Sequence, residues 1–271
     1  MALRGRRLVA AAKSIYSPPV GPYREATATE TMEVSTGDGL LRLEVAPRHT
    51  TVRLGDHIRL SATEHFATFS GFSRRRRTKK RSFELRDDVR LLVARSIPTR
   101  DVGLWYQPGP DVAIRLFGCR PLDLFHDEGL KALRRLDQLA EKLADALGPH
   151  AHGVATAMEI GNGADRVLIT DYGDRLVFYI RRLFREWPRR ALEAHADGTI
   201  LLCSKSRFGA GEQQFRCSSR YGVTSIGDHV RFADHTGQDL GSVAIPWVNP
   251  EERRQIAELI GQRIDQHGAS S

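Results

Sequence analysis

The densest chemistry in this sequence is a block of cations: Arg74, Arg75, Arg76, Arg77, Lys79, Lys80 and Arg81 fall within eight consecutive positions. Guanidinium forks meet phosphate oxygens in pairs, whereas lysine acts as a point charge, so an arginine-dominated run suits a phosphorylated group. Three outcomes are open for it. Against an anionic membrane, each near-surface cation would contribute on the order of 1 kcal/mol. Against nucleic acid the block would release counterions and bind with steep salt dependence, although only Phe69, Phe72 and Phe83 stand near enough to stack on bases. As a plain loop tip it would be solvated. A sparser set, Arg181, Arg182, Arg185 and Arg189 with Arg190 beside it, is interleaved with Phe178, Tyr179, Phe184 and Trp187. It reads either as a second anion surface or as a strand with arginines on its outer face.

Catalytic and metal chemistry find less support. Of ten histidines, His150 and His152 follow a helix end and His235 lies between Asp234 and Asp239, none in a recognisable ligand frame. Asp87 and Asp88 are adjacent, so on a strand their carboxylates point to opposite faces. Ser61, Ser204, Ser206 and Ser225 lack the glycine frame of a nucleophile elbow. Gly161-Asn162-Gly163 lacks the further glycine and helix of a dinucleotide site and reads as a turn. The three cysteines, Cys119, Cys203 and Cys217, have no Cys-x-x-Cys spacing. That argues against a disulfide scaffold or zinc site and for a reducing, cytoplasmic compartment. A hairpin centred on Gly209-Ala210-Gly211 would set Cys203 opposite Cys217, as two buried thiols or a redox bridge. No catalytic residue, cofactor or metal is assigned.

With 271 residues, 41% hydrophobic and 27% charged, the chain suits one large or two ordinary globular domains. Collagen-like, coiled-coil and wholly disordered chains are excluded. The net charge of +8 is local. The block holds seven positive charges, and Arg4, Arg6, Arg7, Lys13 and Arg24 add five before the first acid, Glu25; removing those twelve leaves the other 239 residues at −4. Residues 1–26 read as a basic tail, either loose or a short amphipathic helix over 3–16 ended by Pro18 and Pro19. Such a helix would seek a membrane surface or serve as an arginine-rich targeting segment. The apolar run 8–12 is too short for a signal-peptide core, and nothing approaches the roughly 18 apolar residues of a membrane span.

The elements that must carry these residues alternate between two periods. From about residue 30 to 120 the period is 2, predicting strands over 32–35, 40–45, 65–72, 82–86, 89–94, 103–106 and 112–118. A three-residue turn at Gly55-Asp56-His57 sets Val52 and Leu54 opposite Leu60 and Ile58. The cation block is then the loop between two paired strands. Leu130, Leu133, Leu136, Leu139, Ala140, Leu143 and Leu147 recur at helical spacing and stop at Gly148-Pro149. The plan repeats with strands over 158–160, 166–170, 175–184, 191–196, 199–204, 230–233 and 242–248, Asp197-Gly198 marking a tight hairpin. A last helix opens at Pro250 and carries Ile256, Leu259, Ile260 and Ile264. The similar stretches 54–60 and 226–232 lie at different distances from their helices, so they reflect reuse of a Gly-Asp turn.

An antiparallel sheet closed by a C-terminal amphipathic helix, twice over, resembles pleckstrin-homology-like (PH-like) domains across roughly 30–148 and 155–267. Residues 79–88 look like the basic loop and second strand of such domains. Residues 191–198, with 243–246 leading into the final helix, resemble bacterial members. The final helix lacks the tryptophan typical of eukaryotic ones. The resemblance implies an α+β, strand-rich fold: a tail over 1–26, then two PH-like barrel units over 27–149 and 150–268, each closed by its own helix. The expected function is a non-enzymatic binding or adaptor module, peripheral on an anionic membrane surface or holding a phosphorylated ligand through the cation block. Two alternatives stand beside it: a nucleic-acid-binding protein using the same loop, and an enzyme or enzyme subunit with a site between the sheets. A protein partner or homo-oligomer is compatible with each.

Overall fold

Clean apolar–polar alternation builds the first layer. The computed structural model describes residues 28–63, 65–72, 78–86, 89–96, 100–122, 127–147, 156–161, 166–181, 188–206 and 209–268. Strands β1 (Glu30–Thr36), β2 (Gly39–Ala46), β3 (His49–Leu54), β4 (Ile58–Thr63), β5 (Phe66–Phe72) and β6 (Thr78–Glu84) form an antiparallel sheet in chain order. Val34, Leu41, Leu43, Val52, Leu54, Leu60, Ala62 and Ala67 fill its inner face, and mostly polar residues occupy the outer one. The expected register at the Gly55 turn forms, with Val52 opposite Leu60 and Leu54 opposite Ile58.

The next seven strands are apolar on both faces and close on themselves. These are β7 (Arg90–Ser96), β8 (Val102–Gly109), β9 (Val112–Cys119), β10 (Thr156–Ile160), β11 (Val167–Asp171), β12 (Arg175–Ile180) and β13 (Arg189–His195). They make a barrel in the order β10-β7-β8-β9-β13-β12-β11 and back to β10. One seam is parallel, β10 against β7 at Met158–Arg95 and Glu159–Ser96. The other joins β9 to β13 at Val112–Arg189, helped by Arg190 N–H donating to the Asp111 carbonyl at 2.9 Å. Leu92, Ala94, Trp105, Ala113, Ala157, Leu168, Val177 and Tyr179 fill the lumen, small beside large, as a narrow barrel requires.

Each flank of the barrel has its own cover. Leu91, Val102, Leu104 and Phe117 pack with the first sheet and with Leu136, Leu139, Ala140, Leu143 and Leu147 of α1 (Asp127–Leu147). On the other flank, Ile160, Val167, Ile169, Leu176, Phe178 and Leu192 meet Ile256, Ala257, Ile260 and Ile264 of α2 (Pro250–Gly268). They also meet Ile200 and Leu202 of β14 (Thr199–Ser206), which pairs with β15 (Gly209–Arg216) at the end of the same sheet. A three-stranded sheet of β16 (Val223–Ile226), β17 (His229–Ala233) and β18 (Asp239–Ala244) completes that flank. Asn249 caps α2: its Oδ1 accepts the Glu252 N–H at 2.9 Å while Glu252 Oε2 accepts the Asn249 N–H at 3.3 Å.

This corrects the expected architecture. Two antiparallel PH-like units, each closed by its own C-terminal helix, do not form, because strands from both sides of α1 share one barrel. The cause is two-sided apolarity: β7–β9 and β10–β13 each need a lumen and an outer cover, and joint closure supplies both. A smaller correction concerns the cysteines. Ser206 pairs with Gly209, so the hairpin turns two to three residues earlier than expected and Cys203 faces Glu212, with Cys217 well outside that register. None of the three cysteines forms a disulfide. The repeated Gly-Asp turn is real as a local device, since Gly55 and Gly227 both adopt φ 55° in hairpin turns.

Candidate anion-binding face

The cation block straddles the boundary of the described residues. Arg74, Arg75, Arg76 and Arg77 lie outside them; Lys79 lies within β6, and Lys80 and Arg81 are exposed on that strand. The block therefore extends from the β5–β6 connection into the last strand of the sheet. Among the described residues, neither Lys80 nor Arg81 has a carboxylate within ion-pair distance. Phe83 fastens β6 to the barrel, its ring stacked on Tyr106 with centroids 4.2 Å apart. Burial raises the pKa of that tyrosine, outweighing the nearby Arg81 and Arg86 charges.

Register reveals more cations on the outer face. Glu33, Arg42, Arg53, Arg59, Ser70 and Lys80 follow one another across β1 to β6 as direct cross-strand neighbours. Glu33 and Glu44 hold Arg42 at 3.2 and 2.9 Å, and Glu44 reaches Arg53 at 3.9 Å. Positive character thus grows from β1 toward β6. The next row, Glu44, Thr51, Ser61, Thr68 and Ser82, is nearly all hydroxyl, with Thr68 and Ser82 hydrogen-bonded at 3.1 Å. Two apolar side chains stand on the same face, Leu40 at 45% and Phe66 at 50% exposure.

The second arginine set is not assembled into a comparable surface. Arg182 and Arg185 lie outside the described residues; Arg181 follows β12 and is half-buried, and Arg189 opens β13 opposite Ile180 and Val112. Arg190 is consumed by acids: it contacts Asp111 at 3.1 Å, Glu193 at 2.5 Å and Glu212 at 2.9 Å. Burial works against its charge, but Glu193 and its neighbours outweigh that and raise its pKa. His150, His152, Asp87, Asp88, Asn162 and Gly163 fall outside the described residues.

The structure also gathers a charged cluster that sequence reasoning missed. Inside the barrel, Glu159 accepts from Arg166 Nη1 at 2.6 Å, from Arg115 Nε at 3.2 Å and from the Trp105 indole N–H. Arg166 Nη2 reaches Asp101 Oδ2 at 2.8 Å. Glu159, Asp101 and Arg166 are all buried. The two carboxylates raise the pKa of Arg166 against the opposing effect of burial. Gly103 and Gly118 face each other at this level, and a β-carbon on either would overlap Glu159 or Arg115. Every carboxylate of this cluster is bonded to a guanidinium, so it ties β8, β9, β10 and β11 together. No sequence signal marks it. In an open sheet Glu159, between Met158 and Ile160, would face solvent; closure turns that face into the lumen.

A groove of about 970 Å³ lies between α2 and β16, lined by Arg220, Tyr221, Ser225, Arg254, Ala257 and Gly261 among others. Its charges are internally matched, with Arg254 between Glu251 at 2.7 Å and Glu258 at 3.6 Å, and Arg220 at 3.2 Å from Asp265. Among the described residues no group of three or more His, Cys, Asp and Glu side chains is placed to hold a metal ion. No helix of the described residues is long and apolar enough to cross a membrane. No protein-family model matches the chain, and no curated protein matches it.

Proposed function

We propose that this protein is a non-enzymatic binding module that associates peripherally with an anionic membrane surface through Arg74, Arg75, Arg76, Arg77, Lys79, Lys80 and Arg81. The supporting observation is that the block runs into an exposed terminal strand: Lys80 and Arg81 are solvated on β6, while the arginines of the lumen and of the β13 junction are occupied by carboxylates. A cationic edge also discourages edge-to-edge pairing of two copies, which leaves that strand to an anionic partner. Three cysteines outside any disulfide are in keeping with a reducing compartment on the cytoplasmic side.

Vesicle flotation tests this reading. Phosphatidylcholine vesicles containing phosphatidylserine should carry the protein at physiological salt, and vesicles without acidic lipid should not. Replacing Arg74–Arg77 by alanine should weaken binding by several hundredfold, since each of the four near-surface cations contributes on the order of 1 kcal/mol. A parallel salt titration with duplex DNA and single-stranded RNA distinguishes the nucleic-acid alternative: tighter binding there, with a steep salt slope abolished by the same substitutions, would replace the membrane reading.

A further inference from the structure

We infer that two copies of this protein pair edge to edge through β15, their strands antiparallel about a two-fold axis at Gln214. The pairing does not rest on the membrane reading. Among the described residues the other sheet edges are guarded. β1 lies beside α1, where Lys142 pairs with Glu30, and β6 carries Lys79, Lys80 and Arg81. β12 pairs onward with β13, β16 lies against α2, and β18 is bulged against β17 at Phe232–Ala233. Cations, a covering helix and a bulge are devices that keep strand edges from pairing. β15 reads Gly-Ala-Gly-Glu-Gln-Gln-Phe-Arg, ends the nine-stranded sheet and keeps an unbroken register against β14. It has no proline and no lysine. Phe215 packs 5.5 Å from Phe232, and Gln213 Nε2 donates to the Leu240 carbonyl at 2.9 Å, so the strand is held in place before a partner arrives.

Register fixes which groups face outward. The Cys217 N–H donates to the Gly198 carbonyl at 2.8 Å. Antiparallel pairs alternate between bonded and non-bonded positions, so Gly211, Gln213 and Phe215 also address β14, while Glu212, Gln214 and Arg216 turn their N–H and C=O groups to the open edge. An antiparallel copy centred on Gln214 sets Gln214 opposite itself and Glu212 opposite Arg216, twice by symmetry. Each outward N–H then meets an outward C=O. Moving the axis to Glu212 or Arg216 would set like charges opposite each other. Moving it to Gln213 or Phe215 would leave both charges facing neutral residues. Glu212 is 53% exposed and gives one oxygen to Arg190 at 2.9 Å, which leaves the other for Arg216 of the second copy. Arg216 is exposed and is a lesser cause of the lowered Asp197 pKa, behind the Thr199 N–H. Among the described residues it has no carboxylate within ion-pair distance.

One short strand from each chain makes a small interface, so association is followed by sedimentation equilibrium of the full chain up to about 100 µM. A dimer should grow in with concentration. Gln214→Pro removes an outward N–H and spares the ladder to β14, so it should abolish the dimer with circular dichroism unchanged. Arg216→Glu should weaken it about tenfold or more, since both symmetry-related pairs become like-charged. Directly paired Cα atoms stand about 5.5 Å apart, within disulfide reach. Under mild oxidation Gln214→Cys should therefore cross-link chains well above the wild type and above Tyr221→Cys, a control on the exposed turn before β16. A wild-type chain that stays monomeric throughout would overturn the pairing and leave this edge to a strand of another protein. A dimer indifferent to Gln214→Pro, or one that Gln214→Cys does not cross-link above the wild type, would overturn it as well.

Discussion

Replacing Arg166 by methionine tests whether the lumen cluster locks the barrel. Arg166 supplies one bond to Glu159 at 2.6 Å and one to Asp101 at 2.8 Å, both inside the barrel. Methionine conserves much of the bulk but strands Asp101, whose side chain is 4% exposed, and leaves Glu159, at 0%, with Arg115 and Trp105. Removing one partner of a buried pair costs about 3–5 kcal/mol, because a desolvated charge remains. Set against a total stability of about 5–15 kcal/mol, that is a large fraction. With a urea dependence of about 3 kcal/mol per molar, the midpoint should fall by about 1–1.7 M, read by far-ultraviolet circular dichroism. The control adds Asp101→Asn and Glu159→Gln to the same chain; neutralising all three should recover a good part of the loss. Glu141→Ala, which breaks the exposed 3.0 Å pair with Arg95, should cost under about 0.5 kcal/mol. A loss below about 1 kcal/mol for Arg166→Met, or a triple variant worse than the single one, would refute the claim that these charges are desolvated and mutually dependent.

Three further outcomes follow from local geometry. Gly118→Ala should destabilise by about 1–3 kcal/mol in thermal unfolding, since the added carbon displaces the Arg115 guanidinium over it. Cys119, its pKa pushed by burial from 9.0 to about 12, should resist iodoacetamide at pH 8.5 in the folded protein and react in denaturant, as mass spectrometry will show. The folded pKa is raised, so the neutral thiol's contribution is complete below pH 9 and is lost as pH climbs from 9 toward 12, at up to about 1.4 kcal/mol per unit from this thiol. Arg48 holds φ 61° in the β2–β3 turn, and Arg48→Gly should raise the melting temperature, being worth about 0.5–1 kcal/mol.

Most elements were legible in the sequence and their assembly was not. Val52, Leu54, Ile58 and Leu60 announce a hairpin because one side of that sheet is wet, and alternation then reports burial directly. Leu133 to Leu147 and Ile256 to Ile264 announce helices by the same logic at a longer period. The barrel strands break that link. Residues 167–170 and 176–180 are buried almost continuously, which reflects cover on both faces; reading them as strands of a one-sided second unit missed the shared closure. Which strand meets which depends on contacts far apart in the chain, such as Glu159 with Trp105 and Arg115, and no local pattern encodes them. The candidate face was half visible: residues 74–81 stand out by composition, whereas Arg42, Arg53 and Arg59 become neighbours only through register.

The late seam between β9 and β13 also shapes how the chain is made. When Cys119 has been synthesised, three barrel strands exist with the indole of Trp105 and the unsatisfied Arg115 between them, and their partner β13 ends only at His195. At about 5–20 residues per second, ribosomes need roughly 4–15 s to supply those strands. For that interval the nascent chain carries two open sheet edges and an unclosed apolar trough. Chaperone occupancy during elongation, and the pace of translation before residue 195, should therefore influence the yield of this protein.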